Sequence, residues 1–478
     1  MRDLAIVGAG PAGMAAALAV AEAGFSVTVI DEQARAGGQI FRRPPEAWGE
    51  RHGNYRPYPW ARELIEHFED HPAIEAHFRS TAFGVLHDRD GAEPAALELA
   101  VNTPNGGRRV ASRRLLLATG AYDMPVAFPG WTLPGVMTAG AVQSLLKSQK
   151  LLVGKRVMLA GSHPIQLILA GQLLDAGAEI VEISLARDLP GLFEMAKALP
   201  AIPGHVSIFA EALRAMAKIA RHRVPVSRRT VVSEARAIDD RLEVRLSRVD
   251  AEWVRSGEDH VVEVDVLALG YGFSPSTELA RQAGCALCWN SAGGGWTVSH
   301  DAEFRSSAPD IFVAGEPTGV AGAERAWAEG HMAGLSIAAS LGATVDPSTL
   351  TRAKRRLASA ARFSTVMQTM FEPHRAALAE LSCQEDTVIC RCEEVRNKRI
   401  EAALAGNPFI QSANALKLEC RSGMGPCQGR YCEGTIAARI AKARGASIEQ
   451  SGRFNAHLPV KPVPLAAYRD IANEPEIS

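Results

Sequence analysis

Apolar segments and glycine-rich turns alternate at the start of the chain. Residues 4–7 are apolar, an alanine-rich stretch follows to about Ala23, and a second apolar segment at 27–30 ends at Asp31. Short apolar runs are typical of buried strands, and the longer alanine-rich run between them is typical of a helix. The pattern predicts a strand, a helix and a strand that begin a parallel sheet.

The same arrangement returns from Lys155, with a strand at 157–160, a turn, and a helix to about Ala176. After Leu341 it ends, and residues 346–381 read as connecting helices. We therefore predict an α/β fold with a C-terminal helical domain. The predicted domains are 1–150 with 265–345 (first dinucleotide domain), 151–264 (second dinucleotide domain), 346–384 (helical linker), 385–447 (cysteine-containing domain) and 448–478 (tail with prolines).

Composition and charge are those of an ordinary globular protein. Of the 478 residues, 47% are hydrophobic and 22% charged, and the formal net charge is -1. This balance indicates neither nucleic acid nor a membrane surface as a partner, and no apolar run reaches the roughly 18 residues that span a bilayer. The first strand directly follows Met1 and leaves no room for a signal peptide. We expect a cytoplasmic protein without a membrane span.

The first turn carries a dinucleotide fingerprint, G-x-G-x-x-G. Its residues are Gly8, Ala9, Gly10, Pro11, Ala12 and Gly13. The glycines would allow the tight turn, the approach of a pyrophosphate and the packing of helix against strand. Asp31, eighteen residues after Gly13, is placed to bind a ribose hydroxyl, and Glu32 is the neighbouring candidate. A structural turn could mimic the motif, but strand, helix and acid together favour a nucleotide site.

Three later segments resemble parts of flavoproteins with two dinucleotide domains. Residues 37–40 (GGQI) resemble the loop after the acid, and residues 115–120 (LLLATG) resemble the strand that returns to the cofactor. Residues 311–315 (IFVAG) resemble the late segment whose acid contacts the flavin ribityl chain. That acid is more often Asp, so Glu316 is a departure. The expected nucleotide contacts in these segments are Gly38, Gln39, Thr119, Gly120, Gly315 and Glu316.

The second unit has lost the fingerprint. Its turn reads GSHPIQ, so His163 and Gln166 stand where the second and third glycines would be. Side chains there would obstruct a pyrophosphate, and the position expected for the acid is Ser184. We predict that this domain does not bind NAD(P)H. His163 is either a base or nucleotide contact or, as we favour, a turn residue that fills the vacated pocket.

Four of the eight cysteines form two close pairs, Cys390 with Cys392 and Cys427 with Cys432. Thiolates are the usual ligands of iron-sulfur clusters, and the glycines around Cys427 would let the backbone approach one. Zinc is the alternative, but C-x-C is tighter than the usual zinc pairs, and we favour 2Fe-2S.

The remaining cysteines have no assigned ligand role. Cys420 is expected next to the cluster ligands without binding the cluster, although it is close enough in sequence to replace one of them. Cys383 is not expected to be a ligand. Cys285 and Cys288 form a C-x-x-C, which could be a redox dithiol but is more typical of small buried apolar side chains.

In their order, these motifs resemble one family. GAGPAG, GGQI, LLLATGAY, FPGWTLPGVMTAGA at 128–141, CRCEEV and GMGPCQGRYC are similar to the alpha subunits of heteromeric flavin dehydrogenases. That family includes opine oxidases, dye-linked proline and D-hydroxyproline dehydrogenases and hydrogen cyanide synthase. The resemblance covers nearly the whole chain and implies a disulfide-reductase-like fold of two dinucleotide-binding domains with a C-terminal 2Fe-2S domain.

The resemblance also implies cofactors and partners. A beta subunit of the amino-acid-oxidase type would oxidise a C–N bond on its own FAD, and a small gamma subunit is a further candidate in the hetero-oligomer. The alpha subunit would hold FAD, or another ADP-containing nucleotide such as ATP or NAD, a 2Fe-2S cluster, and part of an interface for FMN. Carried onto this chain, the ligands are Gly8, Gly10, Gly13, Asp31 and Glu316 for the nucleotide and Cys390, Cys392, Cys427 and Cys432 for the cluster.

The sequence thus predicts the electron-transferring subunit of an amino-acid or opine dehydrogenase acting on substrates such as proline, D-hydroxyproline, octopine or nopaline. It identifies no catalytic acid or base on this chain. The alternatives are a subunit for glycine oxidation of the hydrogen cyanide synthase type, a self-sufficient NAD(P)H-dependent reductase, and a scaffold subunit that keeps the nucleotide for folding.

Overall fold

A computed structural model describes residues 1–49, 53, 55–86, 97–188, 191, 194 and 198–473. The strands in this part of the chain are β1 (Arg2–Val7), β2 (Val27–Ile30), β3 (Ile74–His77), β4 (Thr81–Leu86), β5 (Leu97–Thr103), β6 (Gly106–Leu117), β7 (Ala121–Asp123), β8 (Val136–Thr138), β9 (Arg156–Gly161), β10 (Glu179–Leu185), β11 (Val226–Arg228), β12 (Thr230–Ile238), β13 (Arg241–Val249), β14 (Arg255–Val264), β15 (Val266–Gly270), β16 (Phe273–Pro275), β17 (Leu287–Asn290), β18 (Gly295–Val298), β19 (Ile311–Val313), β20 (Val388–Cys390) and β21 (Val395–Arg396). The helices are α1 (Pro11–Glu22), α2 (Ala61–Asp70), α3 (Ala139–Gln149), α4 (Ile165–Asp175), α5 (Val206–Arg221), α6 (Glu278–Gln282), α7 (Ala323–Ser340), α8 (Pro347–Phe371), α9 (Arg375–Glu380), α10 (Asn397–Gly406), α11 (Ala413–Cys420), α12 (Glu433–Arg444) and α13 (Leu465–Asn473).

The first sheet is built around β1. Its strand order is β3-β2-β1-β6-β5-β4, with β19 also paired to β6. The pairs of β1 with β2, β1 with β6, and β19 with β6 are parallel, so their carboxyl ends lie at one edge of the sheet. In open α/β sheets, ligands bind outside that edge.

Helices α1 and α7 cover one face of this sheet and pack closely on each other. A Cβ at Gly330 in α7 would lie 2.0 Å from the carbonyl oxygen of Ala12, and one at Gly334 would lie 2.8 Å from that of Ala16. Only glycine permits helix backbones to approach this closely. The contact fixes the start of α1, which follows the fingerprint turn, against the rest of the domain.

The second sheet has the order β11-β10-β9-β15-β8, and its four pairings are parallel. Strands β8 and β15 therefore belong to it, although the sequence-based division at 150 and 265 assigned both to the first domain. Leu267 pairs with Val136 on one side and with Met158 on the other. An antiparallel sheet, β12-β13-β14, continues this half of the molecule.

The cysteine-containing segment packs against the second half of the molecule, and the tail returns to the first. The indole nitrogen of Trp131 donates to the carbonyl oxygen of Val388, 2.6 Å away, next to the first cysteine pair. Further on, α13 lies on β6: the Gly107 amide donates to Asp470, and a Cβ at Gly107 would lie 2.1 Å from the carbonyl oxygen of Ala467. The C-terminal segments thus contact both dinucleotide-type domains.

Candidate functional site

The three fingerprint glycines serve different purposes. Gly8 has φ +109°, and a Cβ there would lie 2.3 Å from the carbonyl oxygen of Ala118. A Cβ at Gly13 would lie 1.8 Å from the carbonyl oxygen of Gly8. A Cβ at Gly10 would have only the Gly38 Cα nearby, at 3.9 Å. Gly8 and Gly13 are therefore required by the turn itself, whereas Gly10 faces open space.

The start of α1 suits a phosphate. It begins with Pro11 at its first position, it has no side-chain cap at Gly10, and its first turn contains no acidic residue. The partial positive charge of the helix start is thus not neutralised by the chain itself, and such helix ends attract phosphate groups. The residues present fit an ADP-containing nucleotide here.

Asp31 lies at the end of β2, as predicted, but its carboxylate is engaged by the backbone. The amide of Ala9 donates to Oδ2 over 2.6 Å, and that of Gln33 donates to Oδ1 over 2.7 Å. Burial raises the pKa of Asp31, and these two hydrogen bonds oppose the rise. Asp31 therefore stabilises the fingerprint turn, while Glu32 beside it forms an ion pair with Lys461 of the tail at 2.7 Å.

A cavity of about 1620 Å³ brings the predicted nucleotide residues together. Those that line it are Gly8, Gly10, Pro11, Ala12, Asp31, Glu32, Gly38, Gln39, Thr119, Gly120, Gly315 and Glu316. Gly13 is not in its wall. At another part of the same cavity, Arg391, Arg430 and Tyr431 from the cysteine-containing segment line the wall, so one space joins the two predicted cofactor regions.

Glu316 contacts a helix start. Its Oε1 accepts from the amides of Gly322, at 2.8 Å, and Ala321, at 3.3 Å, just before α7. Burial raises the pKa of Glu316 to about 7, and these two bonds lower it in part. The neighbouring Gly315 amide donates to Glu329 at 2.9 Å. This bond fixes the segment that resembles the ribityl-contacting segment of flavoproteins.

Sequence reasoning did not find a basic pair in the cavity wall, Arg42 and Lys147. Arg42 donates to Ser144 Oγ at 2.6 Å, and Lys147 Nζ lies 3.5 Å from the carbonyl oxygen of Ile40. Burial, and then the charge of Arg42, lowers the pKa of Lys147 to about 8. Their spacing of more than 100 residues gave no local signal in the sequence.

The turn of the second domain is filled by its own side chains. Gln166 is fully buried, and its Nε2 donates to the carbonyl oxygen of Gly270 over 3.0 Å. The ring of His163 meets Phe273 edge-on at 5.0 Å, and its Nδ1 accepts from the Ile165 amide. Burial lowers the pKa of His163 to about 4, so the ring is neutral at physiological pH.

The four predicted cluster ligands meet as two pairs of thiols, Cys390 with Cys432 and Cys392 with Cys427. Cys390 and Cys432 are buried, Cys427 is partly buried, and Cys392 is exposed. The hydrogen bond from Cys432 lowers the pKa of Cys390 to about 6, whereas the same bond raises that of Cys432. Burial, followed by the side chain of Cys427, raises the pKa of Cys392. Among the described residues, no group of three or more histidine, cysteine or acidic side chains is close enough to hold a metal ion.

The surrounding backbone has the features that a cluster needs. The Gly423 amide donates to Cys390 Sγ at 3.4 Å, and a Cβ at Gly425 would lie 2.3 Å from the Cβ of Cys392. Gly423 and Gly429 have positive φ angles of +82° and +84°, and both pack on the Phe454 ring. Amides directed at sulfur and glycines close to the ligands are typical of iron-sulfur loops. In donor type and backbone the segment fits a cluster.

The other cysteines lie apart from these pairs. Cys420 is buried, with its sulfur 3.2 Å from the Leu416 carbonyl oxygen and 3.1 Å from Ser422 Oγ. Cys383 is exposed, with Arg439 Nη1 at 2.7 Å from its sulfur. Cys285 is buried and bonds to Ser306, whereas Cys288 is exposed on β17. The C-x-x-C therefore forms no disulfide.

The pattern of the pyridine nucleotide-disulphide oxidoreductase family matches residues 2–333 of the chain. An opine oxidase subunit of Rhizobium meliloti is 33% identical over 97% of this chain and 86% of its own length. Hydrogen cyanide synthase subunit HcnB of Pseudomonas aeruginosa is 32% identical over 98% of both chains.

Among solved structures, L-proline dehydrogenase from P. horikoshii has a TM-score of 0.66 at 19% identity, over 97% of this chain and 78% of that one. Together with the family pattern, this likeness confirms the predicted α/β fold of two dinucleotide-binding domains. Within the described residues, no helix is long and apolar enough to cross a membrane.

Proposed function

The chain belongs to the pyridine nucleotide-disulphide oxidoreductase family and is similar over nearly its whole length to an opine oxidase subunit and to hydrogen cyanide synthase subunit HcnB. From this we propose that it is the electron-transferring alpha subunit of a heteromeric flavin-dependent dehydrogenase. Membership confirms the resemblance drawn from the motifs and makes the protein an oxidoreductase. In the proposed complex, a beta subunit oxidises the C–N bond of an amino acid or opine, and this chain receives the electrons.

The cavity shared by the fingerprint loop and the cysteine-containing segment carries this proposal. It is lined by Gly10 and Gln39 in one region and by Arg430 and Tyr431, between Cys427 and Cys432, in another. A nucleotide bound at Gly10 would therefore occupy the same cavity that the cysteine loop borders. Two centres that border one cavity would lie in neighbouring parts of the chain, which favours electron transfer between them.

In the proposal, the fingerprint residues hold FAD or another ADP-containing nucleotide, the four cysteines hold a 2Fe-2S cluster, and an interface with the beta subunit holds FMN. Flavin accepts an electron pair and an iron-sulfur cluster accepts single electrons. The chain's own residues orient these groups and exclude water. The Gly423 amide stabilises negative charge on Cys390, and Gly10 leaves room for a pyrophosphate.

The filled turn of the second domain favours this function over a self-sufficient NAD(P)H reductase. His163 and Gln166 stand at the second and third glycine positions, with the His163 ring on Phe273 and the buried Gln166 bonded to the Gly270 carbonyl oxygen, and position 184 is a serine, not an acid. Electrons then come from the partner subunit.

The substrate class has two candidates. The opine oxidase and hydrogen cyanide synthase relatives are 33% and 32% identical to this chain, so identity does not separate them. We place an opine, proline or D-hydroxyproline first and glycine second, and on either assignment the substrate pocket lies in the beta subunit.

The test is anaerobic purification of this chain with and without a coexpressed amino-acid-oxidase-type partner, followed by nucleotide extraction and iron, sulfide and zinc analysis. The expected result is one nucleotide and about two irons and two sulfides per chain. Opines, proline, D-hydroxyproline and glycine are then assayed with a dye acceptor. Only the complex should turn over, and NADH should not bleach the flavin of the chain alone.

Each rival has its own outcome in this experiment. Rapid bleaching by NADH identifies a reductase. A nucleotide that is present but never reduced by substrate in the complex identifies a scaffold. Zinc in place of iron overturns the cluster assignment and leaves the nucleotide assignment standing.

A further inference from the structure

Two arginines near the cysteine-containing loop have buried hydrogen-bond donors that no described residue satisfies. Arg375 begins α9, and Arg430 lies in the loop between Cys427 and Cys432. The buried Nε and Nη2 of Arg375 and the buried Nη2 of Arg430 have no acceptor within the described chain. Buried charged donors are normally paired, because an unpaired one loses its hydration without compensation.

The contacts that these arginines do make leave those donors free. Nη1 of Arg375 lies 2.8 Å from the sulfur of Met124, and a thioether is a weak acceptor. Nε of Arg430 lies 3.4 Å from Glu278, and its guanidinium carbon lies 5.5 Å from the centre of the Tyr122 ring. Neither guanidinium group makes the two-pronged contact with a carboxylate that it commonly forms when buried.

The two side chains border the same spaces. Both line the large cavity, and both line an adjoining cavity of about 90 Å³. Tyr122, Met124 and Tyr431 also line both cavities. Since a water molecule takes roughly 30 Å³ of liquid volume, the smaller space suits a group of a few heavy atoms.

The charges around this space leave a positive excess. The arginines are Arg281, Arg375, Arg430 and Arg453, and the acids are Glu278, Glu372 and Glu433. Four cations and three carboxylates leave one positive charge. Glu278 and Glu433 are shared by Arg430, Arg281 and Arg453, so the excess lies in this group of three arginines. Arg375 has the charge of Glu372 nearby, and burial lowers its pKa only to about 10.

We propose that Arg375 and Arg430 form an oxyanion subsite that receives the phosphate or carboxylate group of a second ligand, distinct from the dinucleotide at Gly10. Guanidinium groups bind both oxyanions through paired N–H donors. The ligand reaches the subsite from the large cavity, which places its remaining atoms between the fingerprint loop and the cysteine loop. The subsite depends on neither a bound cluster nor a particular substrate.

The test is the binding of small oxyanions to the full-length chain. Thermal unfolding and titration calorimetry are carried out with inorganic phosphate, acetate and, at matched ionic strength, chloride. Wild type is expected to show a saturable rise of the midpoint with phosphate or acetate that chloride does not give. In Arg375→Met the dissociation constant for that anion is expected to rise at least tenfold. The exposed Arg352→Gln, on α8, is the control and keeps the wild-type response.

The anion that binds identifies the chemical class of the second ligand. Phosphate alone indicates a phosphate-bearing cofactor, and acetate alone indicates a carboxylate-bearing substrate or product. If neither binds wild type more tightly than chloride, or if Arg375→Met responds as wild type does, the proposal is wrong.

A second variant keeps the proposal testable if Arg375→Met does not fold. Arg375→Lys keeps the charge but loses the paired donors, and it is expected to weaken anion binding at least fivefold. Without anion, Arg375→Met should not lower the midpoint, because it removes a buried group whose Nε and Nη2 have no acceptor among the described residues. A lowered midpoint combined with unchanged anion binding would assign Arg375 a structural role and overturn the subsite.

Discussion

Lys461 of the C-terminal tail forms an ion pair with Glu32, the residue next to the predicted ribose-binding acid, with Nζ 2.7 Å from Oε2. The adjoining Val460 amide donates to the Phe83 carbonyl oxygen over 2.9 Å, and both tail residues line the large cavity. A segment more than 400 residues away in sequence thus forms part of the wall of the predicted nucleotide site.

Replacing Lys461 by Ala should lower the free energy of unfolding by less than about 1 kcal/mol. The two side chains are 28% and 44% exposed, and partly exposed ion pairs contribute little because water screens them. Urea unfolding measures the effect. Lys398→Ala, whose pair with Asp386 is more exposed, serves as the comparison and should change stability less. A loss of more than about 2 kcal/mol in Lys461→Ala would show that the pair holds the tail in place.

Replacing Cys427 by Ser should remove the iron and sulfide of the purified protein and its visible cluster absorbance, because serine is a poor ligand for a 2Fe-2S centre. The matched control is Cys288→Ser, since Cys288 is exposed on β17 and bonds to Thr297. The control should retain full iron content. Equal iron in both variants would remove Cys427 from the ligand set.

The sequence located those parts of the site that depend on neighbours along the chain. The turn from Gly8 to Gly13, β2 with Asp31, and the altered turn at His163 and Gln166 all follow from residue types at fixed short spacings. In each case, steric limits or a helix start determine the pattern, and the pattern can be read without knowledge of the fold.

The remaining parts of the site depend on contacts between residues far apart in the chain, and such contacts leave no local pattern in the sequence. Strand β15 joins β9 more than 100 residues after it, so the domain division at 265 separated a strand from its own sheet. Arg375 and Lys461 reach the cavity only because α9 and the tail pack against other domains. Asp31 has the expected position, but its carboxylate accepts from Ala9, a contact that only three-dimensional geometry reveals.

Gly10→Ala should weaken nucleotide binding, whereas Gly13→Ala should lower the stability of the protein. A Cβ at Gly10 meets only the Gly38 Cα at 3.9 Å, so the variant should fold with an unchanged melting temperature. It should bind the nucleotide at least about tenfold more weakly, because the methyl group enters the space of the pyrophosphate. A Cβ at Gly13 would lie 1.8 Å from the Gly8 carbonyl oxygen, and that variant should be destabilised before any ligand is considered. Thermal melts and nucleotide titration separate the two. Normal nucleotide affinity in Gly10→Ala would move the phosphate site elsewhere.

Glu316 should make stability fall as pH rises toward neutrality. Burial raises the pKa of Glu316 from 4.5 to about 7, so between these values the folded protein keeps a proton that the unfolded chain has released. Stability from this group is therefore complete below about pH 4.5, falls through the interval, and is constant above about pH 7. The upper limit is about 3 kcal/mol.

Glu316→Gln keeps an oxygen that can accept from the Gly322 amide but has no proton to lose. In urea unfolding at pH 5, 6, 7 and 8, the stability of the variant relative to wild type should therefore rise by about 1 to 3 kcal/mol across the series. Using the difference between the two proteins cancels other titrating groups, including His163, whose lowered pKa has the opposite effect on stability. Glu385→Gln, at an exposed position, should show no such trend. A difference that does not change with pH would mean that Glu316 is ionised throughout, and its carboxylate would then be available to accept from a ribityl hydroxyl at every pH tested.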